Sequence, residues 1–266
     1  MKVLVTGSCG FSMSNFIIYA LQETQWDLIS IDNITSGSLQ NIAHNNTIYN
    51  KRHKLYLGDV TDNRFVDNVL KIEQPDVIVH GAKLPPSFAS AEYMKTNVMG
   101  MHTMLEAIKT YTPKKFISVQ PEENYVQDKM GKYTLSPQNP YNASLASADV
   151  LAQTYGITYG LPIITARFCN AYGPRQSTEK FIPKSIISVL TDQKISVYGD
   201  GKCVNEWIYI KDKFHALQCL IEKGVPGIYD IGSGEERTNM EVLESIFNIM
   251  GTGERLINFV DGPAKG

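Results

Sequence analysis

The first 32 residues restrict what this chain can fold into more than any other stretch. Lys2-Val3-Leu4-Val5-Thr6 is an apolar run too short for a globular helix and rich in β-branched residues, so it reads as a buried parallel strand. Gly7-Ser8-Cys9-Gly10 is a turn. Over residues 11–22 the spacing becomes helical, with Phe16, Ile17, Ala20 and Leu21 on one face. Residues 27–32 form a second strand that ends in Asp32. A strand, a glycine turn, a helix and a strand closed by an acid make the first βαβ unit of a dinucleotide-binding fold. The glycines let backbone N–H groups approach a pyrophosphate at the helix N-terminus, and the acid reaches the adenosine ribose. The third glycine of the expected G-x-x-G-x-x-G is replaced, since the three positions read Gly7, Gly10 and Met13. A hydrogen side chain normally lets helix and strand close up there. Met13 must therefore be accommodated by a shift, or it overpacks the junction at about 1–3 kcal/mol. The stretch reads either as a cofactor loop or as a βαβ unit that binds nothing.

Composition narrows the setting. A chain of 266 residues suffices for one large domain or one and a half. Hydrophobic content of 43% and charged content of 20% are ordinary for a soluble globular protein. A net charge of −2 implies no nucleic-acid partner, and no apolar run reaches membrane-span or leader length. The expected setting is cytoplasmic, away from membranes. Cys9, Cys169, Cys203 and Cys219 lie far apart without metal-like pairing, so they read as reduced, mostly buried thiols and no metal site is expected.

Strands and helices then alternate: strand 54–57, helix 62–73, strand 77–80, helix 92–111, strand 116–119, helix 141–155 and strand 162–168. That alternation predicts an α/β fold, a doubly wound parallel sheet of the Rossmann type. Ligands of such sheets sit off the carboxyl ends of the strands, which here carry Gly7, Asp32, Asp59, Gly81, Gln120 and Arg167. Beyond Phe168 the pattern loosens into a turn at 172–174, a helix at 183–190, strands at 195–198, 207–210 and 227–232, and helices at 211–223 and 238–250. The predicted division is a Rossmann domain over 1–168 and a smaller substrate-binding part over 169–266, interleaved with the first.

Asp32-Asn33, Gly58-Asp59, Thr96-Asn97-Val98-Met99-Gly100, Tyr141, Asn170-Ala171-Tyr172-Gly173-Pro174 and Val197-Tyr198-Gly199-Asp200-Gly201 come in the order seen in extended short-chain dehydrogenases/reductases. Glu179-Lys180-Phe181-Ile182-Pro183 and Trp207-Ile208-Tyr209-Ile210-Lys211-Asp212 narrow the likeness. From Met1 to about Val260 the chain resembles the nucleotide-sugar 4,6-dehydratases of that family, of the dTDP-glucose type. The resemblance implies bound NAD, oxidation at C4 of the hexose, loss of water across C5–C6 and return of the hydride at C6. It places the cofactor on Gly7, Gly10, Phe11, Ser12, Asp32, Asn33, Asp59, Val60, Ala82 and Asn97. A carboxylate at Asp32 favours NAD over NADP by repelling a 2′-phosphate. A dTDP- or UDP-hexose is expected on Asn170, Arg175, Lys180 and Asn205, the last standing where the family usually has an Arg for the diphosphate. The resemblance also implies a homodimer, or a dimer with a related chain, through the helices at 92–111 and 141–155.

The implied catalytic groups are Tyr141, Glu122 and Glu123, and around them the sequence departs from the family. The base Tyr is followed four residues later, on the same helix face, by a Lys that holds the nicotinamide ribose and lowers the Tyr pKa; here that position is Leu145. An unassisted phenol with a pKa near 10 is only about one-thousandth ionised at pH 7. A Thr that hydrogen-bonds the reacting oxygen is replaced by Pro121, which has neither hydroxyl nor backbone N–H. The acid and base for elimination, usually Asp then Glu, become Glu122 and Glu123, read as an acid–base pair or as two solvated loop acids. Lys83, in His80-Gly81-Ala82-Lys83, is either a relocated cation near the cofactor or a surface lysine. Family chains continue past residue 266 with a segment that closes over the substrate, so this one reads as shortened or as lacking that lid. Three functions stay open: a dehydratase with an altered site, an inactive protein that binds NAD and a nucleotide sugar and partners an active relative, and a keto-sugar isomerase or epimerase using Glu122 or Glu123.

Overall fold

Unbroken apolar strands can be buried on both faces only if helices cover both. The computed structural model, which describes residues 1–43, 50–122, 125–127, 133–252 and 254–261, has that arrangement. In chain order its elements are β1 (Lys2–Thr6), α1 (Phe11–Glu23), β2 (Asp27–Asp32), α2 (Leu39–Ala43), β3 (His53–Leu57), α3 (Asn63–Glu73), β4 (Val77–His80), α4 (Ser90–Met94), α5 (Gly100–Thr110), β5 (Lys115–Pro121), β6 (Tyr125–Gln127) and β7 (Tyr133–Leu135). There follow α6 (Pro140–Tyr159), β8 (Ile163–Phe168), β9 (Asn170–Tyr172), α7 (Phe181–Leu190), β10 (Ile195–Tyr198), β11 (Val204–Tyr209), α8 (Ile210–Lys223), β12 (Gly227–Ile231), β13 (Glu236–Thr238), α9 (Asn239–Met250) and β14 (Ile257–Val260).

The chain divides into two compact units. The first comprises 1–168 and 210–231. Its seven strands run parallel in the order β12-β8-β5-β4-β1-β2-β3. The order reverses between β1 and β4, which opens the crevice where ligands of such sheets bind. On one face, Val66, Val69 and Leu70 of α3, Met101, Met104 and Leu105 of α5 and Ala148 and Ala152 of α6 form one core with Leu4, Ile29, Ile78 and Phe116. On the other face α1 meets α8 through Phe16 and Phe214, ring centroids 5.7 Å apart. The sequence reading placed the boundary after residue 168, with the second part interleaved with the first but no segment assigned to the return. The chain crosses that boundary again, because β12 pairs with β8 as an edge strand of the parallel sheet.

The second unit comprises 169–209 and 232–266. Its core is Val189 of α7, Ile195 and Val197 of β10, Leu243, Ile246 and Phe247 of α9, and Leu256. β11 pairs parallel with β9 and antiparallel with β13, and β10 pairs with β14. Thr238 caps α9 in a capping box with Glu241.

Three local expectations change. The helix expected over 92–111 is interrupted by a π turn at Lys95–Met99, a single widened turn that carries Asn97 inward to 2% exposure. Residue 210, expected to close a strand, opens α8 instead. Cys9 and Cys169 are buried but Cys203 and Cys219 are exposed, so the thiols are less buried than expected. Among the described residues no helix is long and apolar enough to cross a membrane.

Candidate functional site

The turn between β1 and α1 is built for close backbone approach. Gly7 has φ +72°, and a Cβ there would lie 2.7 Å from the Cα of Ala82. Its N–H donates to Ile31 O at 2.9 Å, tying the turn to β2. Gly10 is the N-cap of α1 and offers no side chain to the first turn, whose N–H groups belong to Phe11, Ser12 and Met13. The Ser12 hydroxyl is buried and has no protein partner. Open first-turn N–H groups, a positive helix end and an orphan hydroxyl together suit a phosphate-bearing group.

Met13 does not spoil this turn. It is 2% exposed, and its Cγ and Sδ lie 2.6 and 2.8 Å from where a Cβ on Gly81 would stand. The hydrogen missing at position 13 is supplied at position 81. The expected overpacking is absorbed by Gly81, a residue the sequence reading had not linked to Met13.

Asp32 is held by two amides: Cys9 N–H donates to its Oδ2 at 2.8 Å and Ile34 N–H to its Oδ1 at 2.7 Å. Its charge and the burial of Cys9 push that thiol up to about 12, burial being the larger cause, so Cys9 is inert. Asp59 accepts from the backbone and hydroxyl of Thr61, both at 2.8 Å, and from Asn33 at 3.1 Å. Burial pushes the Asp59 carboxyl up, but these bonds outweigh it and leave the group below its ordinary range. Val60 beside it is 4% exposed. Two acids thus stand at the carboxyl end of β2 and just past that of β3, both on the β2 side of the glycine turn.

The exit of β4 is knotted by one hydroxyl. Thr6 Oγ1 accepts from the N–H groups of Gly81 and Ala82, both at 3.2 Å, and its own proton goes to His80 Nδ1 at 2.8 Å. Burial, then the charge of Lys83, push His80 down to about 3, so it is neutral and structural. The next link is Asn97. It accepts from Leu84 N–H at 2.9 Å and donates to Ser144 Oγ at 2.9 Å, and Ser144 donates to Tyr141 O at 2.7 Å. Three hydrogen bonds therefore run from the β4 exit, which touches Gly7, to the first turn of α6.

Lys83 is not a surface lysine. It is half-buried, and its ammonium donates to Val119 O near the carboxyl end of β5. Burial and neighbouring Lys213 push it down to about 7, against the pull of Asp149. Tyr141 follows Pro140 at the N-terminus of α6 and meets Tyr93 edge-on, centroids 5.7 Å apart. Leu145, one turn on, is 1% exposed and packs as a core residue. Pro121 ends β5 and Glu122 follows it, half-buried; Glu123 lies outside the described residues.

Sequence reasoning missed a buried ionic network beside this site. Arg167 Nε meets Asp149 Oδ2 at 3.0 Å and its guanidinium reaches Asp230 at 3.6 Å. The guanidinium lies 3.5 Å from the Tyr125 ring centroid, and the Tyr125 hydroxyl donates to Asp149. Arg167, Tyr125 and Asp230 also line a cavity of about 460 Å³. The apolar run around Arg167 signalled only a strand; its partners come from three other elements.

In the second unit, Asn170 donates to Asn205 Oδ1 at 3.4 Å, so two of the four expected substrate residues come together. Arg175, with φ +66°, stands in the turn after β9 and is half-buried, which lowers its pKa. Lys180 is the exposed N-cap residue of α7. Unforeseen is Glu206, which accepts from Gly234 N–H at 2.6 Å across a position, Gly232, where any Cβ would strike its carboxylate.

Residues 3–232 match the family model described as the NAD dependent epimerase/dehydratase family. A low-salt glycan biosynthesis protein of Haloferax volcanii is 38% identical over 99% of this chain and 87% of its own length. The dTDP-glucose 4,6-dehydratase of Escherichia coli is 32% identical over 94% of this chain and 76% of its own. The crystal structure of the Bacillus anthracis dTDP-glucose 4,6-dehydratase in complex with NAD superposes with a TM-score of 0.90 at 35% identity, covering 99% of this chain and 85% of that one.

Proposed function

We propose, from the premise that this chain belongs to the NAD dependent epimerase/dehydratase family, that it binds NAD and acts on a dTDP- or UDP-hexose as a 4,6-dehydratase with an altered site. The observation that carries the reading is the glycine turn: it keeps Gly7, Gly10 and an unpartnered Ser12 hydroxyl, and Gly81 makes room for Met13. When bound, NAD supplies a reversible hydride acceptor, taking the hydride from C4 and returning it at C6 once water has left, so that the cofactor is unchanged overall. The first turn of α1 holds the pyrophosphate, and Asp32, Asn33, Asp59 and Val60 hold the adenosine end. Ala82 and Asn97 belong to the nicotinamide end.

Tyr141 takes the proton of the sugar hydroxyl as the C4 carbonyl forms. Loss of water across C5–C6 then needs a base for the C5 proton and an acid for the departing hydroxide, roles given to Glu123 and Glu122. Asn170, Arg175, Lys180 and Asn205 bind the nucleotide diphosphate, with Arg175 supplying the charge that Asn205 lacks. A dimer through α5 and α6 belongs to the same reading: Val150, Ile157 and Tyr159 of α6 are exposed apolar side chains.

A second reading, an inactive binding protein that partners an active relative, is favoured by one observation. Pro121 ends β5 where a hydroxyl is needed, and no proline atom can donate to the reacting oxygen. The two readings part on a simple measurement. Purified protein is denatured and assayed for released NAD, and the native protein is incubated with dTDP-glucose and assayed for a 4-keto product. NAD with product supports the first reading, NAD without product the second, and absence of NAD from both native protein and cofactor titrations sinks the proposal.

A further inference from the structure

We propose that Lys83 supplies the ammonium that the resemblance places at position 145, making it the cation that holds the nicotinamide ribose beside Tyr141. The inference rests on the reading of this chain as an NAD-binding dehydratase. Its grounds are the geometry around α6. Lys83 follows Ala82, whose backbone touches Gly7. It precedes Leu84, whose N–H is tied through Asn97 to Ser144, the neighbour of Leu145. The segment that carries the ammonium is thus lashed to the turn of α6 that lost one.

The ammonium also faces the right surface. Tyr141, Leu145 and Asp149 succeed each other at four-residue spacing along α6, which stacks them on one face. Lys83 is within electrostatic reach of Asp149, the last of the three, and donates to Val119 O, two residues before Pro121. Its charge therefore lies between the carboxyl end of β5 and the α6 face that carries the base.

A half-buried ammonium needs a reason to be there, and among the described residues no carboxylate forms an ion pair with Lys83. Asp149 pairs at 3.0 Å with Arg167, not with Lys83, and a second cation, Lys213, repels it. A carbonyl oxygen and a like charge are poor compensation for lost water. Leu145 fits this account: it packs at 1% exposure, so this face of α6 carries no ammonium of its own. The exchange moves one charge across the crevice rather than deleting it.

The test reads cofactor affinity, not turnover. NAD is titrated calorimetrically into the wild-type chain, Lys83→Met, Lys83→Arg, and Lys83→Met combined with Leu145→Lys; Lys202→Met, at an exposed ion pair in the second unit, is the control. Methionine keeps the apolar stem, so the fold is retained; Lys83→Gln replaces it if melting curves show otherwise. Losing a charged hydrogen bond to the ribose should weaken NAD about tenfold or more in Lys83→Met. Lys83→Arg should lose less, and adding Leu145→Lys should restore most of the affinity. If the wild type binds NAD and Lys83→Met binds it equally well, or Leu145→Lys restores nothing, the inference is overturned while the NAD reading stands. If the wild type itself takes up no NAD, both fail.

Discussion

The fit of Met13 against Gly81 can be measured as a coupling energy. In Gly81→Ala the new Cβ would lie 2.6 Å from Met13 Cγ, 2.8 Å from its Sδ and 3.2 Å from Thr6 O, so the thioether must move. Overpacking of this size costs about 1–3 kcal/mol. Met13→Ala removes a side chain that is 2% exposed and should cost about 2–5 kcal/mol by itself. In the double variant the methyl added at position 81 enters the space that Met13 vacated, so most of the Gly81→Ala penalty should go, leaving only the 3.2 Å approach to Thr6 O. The cycle should therefore close with an interaction of about 1–3 kcal/mol in favour of the double variant. Urea unfolding followed by circular dichroism on all four proteins gives the four free energies. Melting should follow, with about 2–4 °C per kcal/mol in a chain of this size. Additivity to within about 0.5 kcal/mol would show that the two residues do not share one space. The explanation of how the turn tolerates a missing third glycine would then be wrong.

Two further outcomes follow from charges outside the site. Glu73 is 7% exposed and accepts from Lys54 at 2.6 Å, Tyr56 at 2.5 Å and Lys2 at 3.1 Å. Burial raises its pKa, but these bonds prevail and hold it down at about 2. A folded-state pKa below the unfolded one adds stability above the unfolded value, and that stability is lost as pH falls from about 4.5 towards about 2. Glu73→Gln should thus be less stable at neutral pH and should lose less stability across that acid window, as read by thermal melts at a series of pH values; an unchanged acid limb refutes the assignment. Asp149→Ala leaves Arg167, 5% exposed, with the Tyr125 ring and, as its remaining carboxylate among the described residues, Asp230 at 3.6 Å. It should cost about 3–5 kcal/mol in urea unfolding, and Asp149→Ala with Arg167→Met should recover a good part of it.

The strand-turn-helix-strand at the start of the chain was legible because its signals are local. The period of two or of 3.6, the φ of Gly7 and the cap at Gly10 depend on residues a few positions apart. The same holds for the five inner parallel strands β1, β2, β4, β5 and β8, whose apolar runs announce burial on both faces. The losses at Leu145 and Pro121 were equally visible, since they are matters of which atoms a side chain has.

The contacts between elements were not visible, although the sequence leaves Lys83 as either a relocated cation or a surface lysine. Met13 and Gly81, Lys83 and Val119, and Asn97 between Leu84 and Ser144 are pairs from different elements, brought together by the order of the sheet and the π turn. Nor could one sequence show that Ile210–Ile231 returns to the first unit, because a short apolar strand matches any free edge until the register is known. Periodicity determined which segments are strands and helices and which ends face a ligand. Tertiary packing alone decided which side chains and charges meet, because side-chain volume and electrostatic reach act through space, across distances that sequence order does not record.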